Sequence, residues 1–114
     1  MDEAAARVFT GCEPGALAVV DELLARLSAL PDVSIDPKKN CLHVKRRTAF
    51  AGMHPRRSAL LLNLRTTAPI QSPRIRKVER VSANRFHNEL LIDSVAAIDE
   101  ELTGWIAEAH ALAG

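Results

Sequence analysis

The stretch Ala49–Arg65, AFAGMHPRRSALLLNLR, decides the fold of this chain. Two apolar pieces, Ala49–Met53 and Ala59–Leu64, flank a polar break at His54-Pro55-Arg56-Arg57-Ser58, which is the pattern of a β-hairpin. In the second piece only Asn63 interrupts Leu60, Leu61, Leu62 and Leu64. A strand apolar on both faces belongs at the centre of a sheet, covered by helices on one side and in part by another element on the other. Pro55 cannot donate to a strand ladder and so reads as an edge or turn position, while Gly52 marks a bulge or a close approach to the backbone.

Working outward from the hairpin, Asp32–Asp36 and Cys41–Arg46 alternate apolar and polar residues and read as short strands, with a turn at Pro37-Lys38-Lys39-Asn40 between them. On the other side, Thr66–Pro73 is a loop carrying two prolines. Arg74–Ala83 has Ile75, Val78 and Val81 three apart, so that a helical turn around Ile75–Val78 and a strand fit it equally. Phe86–Ile92 reads extended. Near the N-terminus, Asp2–Phe9 forms a helical turn or an arm anchored by Phe9. After the break at Gly11–Gly15, Leu17, Val20, Leu24, Leu27 and Leu30, widened by Leu23, give an amphipathic helix that Pro31 ends. A last helix carries Val95, Ile98, Leu102, Trp105, Ile106, Ala109 and Leu112 on one stripe, with Ser94 as its expected N-cap and Asp99-Glu100-Glu101 in its dipole-favoured first half. The fold class is therefore α+β: a single small domain with a four- or five-stranded, mostly antiparallel sheet flanked by N-terminal and C-terminal helices. Both helices are expected to bury their stripes on one sheet face.

A chain of 114 residues, 47% hydrophobic and 25% charged, fits one domain with one modest core. Cys12 and Cys41 have neither CxxC spacing nor further partners, which argues against a structural zinc site, and no metal or other cofactor is expected. No apolar run reaches the length of a membrane span, and the acidic start MDEAAARVF is unlike a secretory signal, so the expectation is a cytoplasmic protein without membrane contact. The net charge of +1 conceals a marked asymmetry. Between Lys38 and Arg85 lie thirteen of the fifteen Lys and Arg residues and a single acid, Glu79. Such segregation bears on partners and leaves open two readings, an anion-attracting surface or basic strands packed beside acidic helices.

Several of these features resemble an uncharacterised bacterial family, domain of unknown function 5655. They are Phe50-Ala51 leading into His54-Pro55-Arg56-Arg57, the strand Leu60–Leu64, Ser72-Pro73-Arg74, the Arg85/His87 pair, and Ile98-Asp99-Glu100-Glu101-Leu102 with Trp105 and Ala109. The resemblance covers nearly all of residues 9–112 and implies a free-standing domain in which helices pack on a curved antiparallel sheet. His110 departs from the aromatic usual at that place. The resemblance implies no catalytic role.

The basic cluster supplies the candidate site. If arginines from separated strands meet in one hollow, their planar forks suit a phosphate or carboxylate, each engaging two oxygens at once. The residues expected there are Arg47, His54, Arg57, Arg65, Arg85 and His87, with Arg85 and His87 two apart on one strand face. The leading expectation is a non-enzymatic binding module for a small or polymeric anion. One alternative is an enzyme acting on a small anionic substrate, with His87 as its acid–base group and arginines as clamps. Another is a protein-interaction domain or a non-specific nucleic-acid binder. Against nucleic acid stand the scarcity of aromatics for stacking and two helices with acidic solvent sides. His43 shares a strand face with Cys41, but side chains so placed run parallel, which makes a nucleophile–base contact awkward. The leucine-rich sheet also leaves a homodimer open.

Overall fold

The computed structural model describes residues 2–114. A short helix α1 (Glu3–Val8) is capped by the Asp2 carboxylate, which accepts from the Ala5 N–H at 2.8 Å, and it delivers Ala5, Val8 and the following Phe9 into the core. Helix α2 (Pro14–Ser28) starts on Pro14, whose missing N–H costs nothing in a first turn. It buries Ala16, Val19, Val20, Leu23 and Leu27, with Leu17 and Leu24 at the rim of the contact. The buried stripe is thus rotated from the leucine periodicity toward Ala16 and Val19, because small side chains let the helix approach the sheet more closely.

Six strands follow: β1 (Ser34–Pro37), β2 (Leu42–Lys45), β3 (Ala49–Pro55), β4 (Leu60–Thr66), β5 (Lys77–Ser82) and β6 (Arg85–Ile92). They form one fully antiparallel sheet in the order β1-β2-β3-β4-β6-β5, six strands rather than the four or five expected. The additional pairing includes β5, in the segment whose sequence spacing was ambiguous. The register of β5 on β6 shifts between Arg80 and Ser82, so Val81 is an inserted residue. An inserted residue breaks the two-residue alternation and produces a three-residue spacing that imitates a helical turn.

Leu42, Val44, Ala51, Met53, Leu62, Leu64, Leu90 and Ile92 point to the covered side and are buried. α2 and α3 (Glu100–Leu112) pack over them with Leu23, Leu27, Leu102, Ile106 and Ala109. The N-cap of α3 is Asp99, whose carboxylate accepts from the Leu102 N–H at 3.0 Å, rather than Ser94. Ser94 precedes a single 3-10 turn at Val95–Ala97, which leaves Val95 exposed and outside the expected stripe. Asp99 prevails because the Arg74 guanidinium also grips it, at 3.0 and 3.2 Å, while reaching Glu101 at 3.1 Å and the Ala97 carbonyl at 2.8 Å.

Polar side chains are also built into the covered face. Asn88 is fully buried; its amide donates to the Leu64 carbonyl at 3.0 Å and to Thr66 Oγ1 at 2.8 Å, and its oxygen accepts from the Ile70 N–H at 3.0 Å. The loop after β4 is fastened to the sheet through this residue, with every Asn88 polar atom engaged, as burial demands. No helix among the described residues is long and apolar enough to cross a membrane.

Candidate functional site on the open face of the sheet

Strand alternation assigns the opposite face. With Val44 and Leu42 turned to the core, His43 points outward, and the ladder places it beside Gly52, Asn63, Glu89 and Lys77 in one row across the sheet. In the next row Arg65 lies opposite His87, followed by Glu79. His54 faces the same way from β3, opposite Leu61. Four different strands therefore bring His43, His54, His87, Arg65 and Asn63 around one recess of about 130 Å³ whose floor includes Gly52.

Two local features keep that space clear. The first is a bulge: Val44 pairs with Ala51 but Lys45 pairs with Ala49, so Phe50 is the extra residue of β3. Regular alternation would aim the Phe50 ring at the open face beside Arg65. The bulge instead sends it into the core, where it is 1% exposed and stands edge-on to His110, ring centroids 5.5 Å apart at 83°. The second is Gly52. A Cβ there would sit 3.1 Å from His54 Nε2 and 3.7 Å from Asn63 Cβ, so the absent side chain is what lets the imidazole fold back over the strand.

Two charged or titratable groups of the recess are partly desolvated. Arg65 is partly desolvated and lies close enough to Arg85 that burial and this like charge both lower its pKa. Its guanidinium donates to Thr48 Oγ1, a neutral partner, and among the described residues no carboxylate pairs with it. His54 is likewise held below the ordinary histidine value of 6.5, first by burial and then by the Arg56 charge, with Glu89 pulling the other way and His43 adding to the depression. The lining offers imidazoles, an amide and a guanidinium but no carboxylate, thiol or hydroxyl. Among the described residues no three His, Cys, Asp or Glu side chains converge to hold a metal ion, so the histidines surround the recess without meeting at one point.

The residues singled out in the sequence are divided by the structure. His54, Arg65 and His87 line the recess. Arg85 lines an adjoining one with Arg65. Arg47 lies in the connection after β2, its N–H donating to the Ala113 carbonyl at 3.2 Å. Arg57 sits in the hairpin turn and faces Glu13 at 3.3 Å. Other members of the basic segment are engaged locally: Lys38 and Lys45 both hold Asp36, at 2.8 and 2.9 Å, lowering its pKa to about 2, and Arg46 donates to the His110 carbonyl. The sequence marks His43 only as a neighbour of Cys41 and Gly52 only as a bulge or close approach to the backbone, and it gives no sign of Asn63, although the parity of His43 against Leu42 and Val44 already places it on the open face.

Residues 5–113 match DUF5655, a domain of unknown function, which is almost the whole chain. The chain belongs to the DUF5655 family. No curated protein and no solved structure matches it. The span matched to DUF5655 contains α2, α3 and all six strands, so every residue of the recess falls inside the family domain.

Proposed function

We propose that this DUF5655 chain is a binding module for a small anion, with a phosphate-sized group seated between Arg65, His87, His54 and His43. The observation that carries this reading is the meeting of one carboxylate-free arginine and three imidazoles from four strands in a single recess. A guanidinium without a counter-charge gains from any anion that replaces its lost hydration, and each charge-assisted hydrogen bond formed is worth about 1.5–3 kcal/mol. His54, whose pKa burial holds below the ordinary histidine value, takes up a proton more readily when an anion arrives, so binding strengthens as pH falls through the histidine range. A lining without hydroxyl, thiol or carboxylate favours binding over covalent chemistry at this place.

The test is a titration with sulfate, whose charge is constant near neutral pH, at low ionic strength and followed by NMR. Saturable shifts are expected at His43, Gly52, His54, Arg65 and His87, stronger at about pH 6 than at about pH 8. Arg65→Ala is expected to weaken binding about 10- to 100-fold, the equivalent of one charged hydrogen bond. Absence of saturable shifts at the lower pH, or shifts unaltered in Arg65→Ala, overturns the reading.

A further inference from the structure

We propose that the recess is one half of a two-part site and that its ligand is a diphosphate, one phosphoryl group seated among the histidines and the other at Arg85. This rests on the anion-binding reading above and gives it a ligand class. Arg65 is a wall shared by two recesses, each of about 130 Å³: the histidine-lined one and a second at the end of the sheet, bounded by Thr66, Thr67, Asn84, Arg85 and, from the last turn of α3, Leu112. Arg85 and His87 are alternate residues of β6 and face the same way, so their roots stand roughly 6.5–7 Å apart along the strand. Two phosphoryl groups joined through one bridging oxygen fit that separation once the side chains reach toward them. A single phosphate seated in one recess leaves the other unfilled.

The arrangement of charge supports the same ligand. Arg65 and Arg85 disfavour each other in the free protein, with Arg85 contributing to the depression of the Arg65 pKa. Among the described residues no carboxylate pairs with either of them. Two like charges side by side with no acid between them are relieved by a bridging anion with charge at both ends, and the guanidinium fork of Arg65 can give one edge to each phosphoryl group. The second recess adds the Asn84 amide and the Thr67 hydroxyl, neutral donors suited to the terminal oxygens of a phosphoryl group.

Calorimetry with inorganic phosphate and inorganic pyrophosphate, without divalent metal, tests this on the wild-type chain, Arg85→Ala and Arg65→Ala. Pyrophosphate is expected to bind wild type at least about tenfold tighter than phosphate, the gain from one added charged contact. Arg85→Ala is expected to collapse that ratio, whereas Arg65→Ala weakens both ligands. Phosphate binding with no pyrophosphate advantage, or an advantage that survives in Arg85→Ala, overturns the diphosphate assignment and leaves the single-anion reading standing. Failure of both ligands to bind overturns the single-anion reading itself. A single-stranded oligonucleotide that displaces pyrophosphate at equal phosphate concentration overturns the assignment in favour of a polymer backbone.

Discussion

Replacing Gly52 by alanine separates the recess from the stability of the fold. Gly52 lies in mid-strand, and its φ is not in the left-handed region, which only Gly11 among the glycines occupies. Alanine therefore meets no backbone strain and removes freedom from the unfolded chain, a gain of about 0.4–1 kcal/mol. Against this, the new Cβ stands 3.1 Å from His54 Nε2, so the imidazole must give way by a few tenths of an ångström, at a cost of up to about 0.5–1.5 kcal/mol if that takes it off its rotamer. The two contributions nearly cancel, and urea unfolding is expected to place the variant within about 1 kcal/mol of wild type. Anion affinity responds differently. The methyl group occupies the floor, His54 turns from the ligand, and one charged hydrogen bond of about 1.5–3 kcal/mol is lost, or roughly 10- to 100-fold in Kd. The assay pairs urea midpoints with sulfate titration on the same samples. If His54 ring resonances show displacement while sulfate affinity stays within about twofold of wild type, the imidazole takes no part in binding and the reasoning is refuted.

Two further outcomes follow from particular side chains. His54 has its folded pKa below 6.5, so the unfolded chain binds the proton first as pH drops; the resulting stability is fully present above 6.5 and is lost as pH falls through the depressed folded value. Urea unfolding from about pH 7 to about pH 5 is expected to show this decline, flattened in His54→Gln and offset by sulfate, and identical pH slopes in both proteins would contradict it. Asn88→Ala leaves the Ile70 N–H and the Leu64 carbonyl without their buried partner and is expected to cost about 2–3 kcal/mol in urea unfolding, whereas a loss below about 0.5 kcal/mol would show that the loop refastens through other groups.

Elements whose periodicity has a single solution were legible from the residues alone. The leucine run of β4, the hairpin around it and the extended Phe86–Ile92 appear where alternation put them, and two main helices form as the 3.6-residue period requires, with the buried stripe of α2 rotated and α3 starting only at Glu100. The difficulties arose where two local signals competed. Val81, three residues after Val78, is itself the inserted residue of β5, and a bulge is indistinguishable from a helical turn until the partner strand is known. Ser94 and Asp99 are both good N-caps, and the choice depends on Arg74, distant in sequence and brought over the start of α3 with its guanidinium 5.6 Å from the Trp105 ring centroid.

The candidate site was harder to read for a related reason: a charge count along the chain does not say which charges are already answered. Arg74 is tied to Asp99 and Glu101, Arg57 to Glu13, and Lys38 and Lys45 to Asp36, and nothing in the sequence says which cations of the densely basic segment are paired in this way. At Arg65 the neighbours across the ladder are His87 and the backbone of a bulge, neither of which brings a carboxylate. Register decides this, and register is set by one extra residue. Were Phe50 in regular alternation, Ala49 would turn to the core and a phenyl ring would fill the space beside Arg65. The residue that empties the recess is thus a core aromatic whose own side chain points away from it. Sequence parity alone predicts the opposite orientation for that side chain, and only the pairing of Lys45 with Ala49 corrects it.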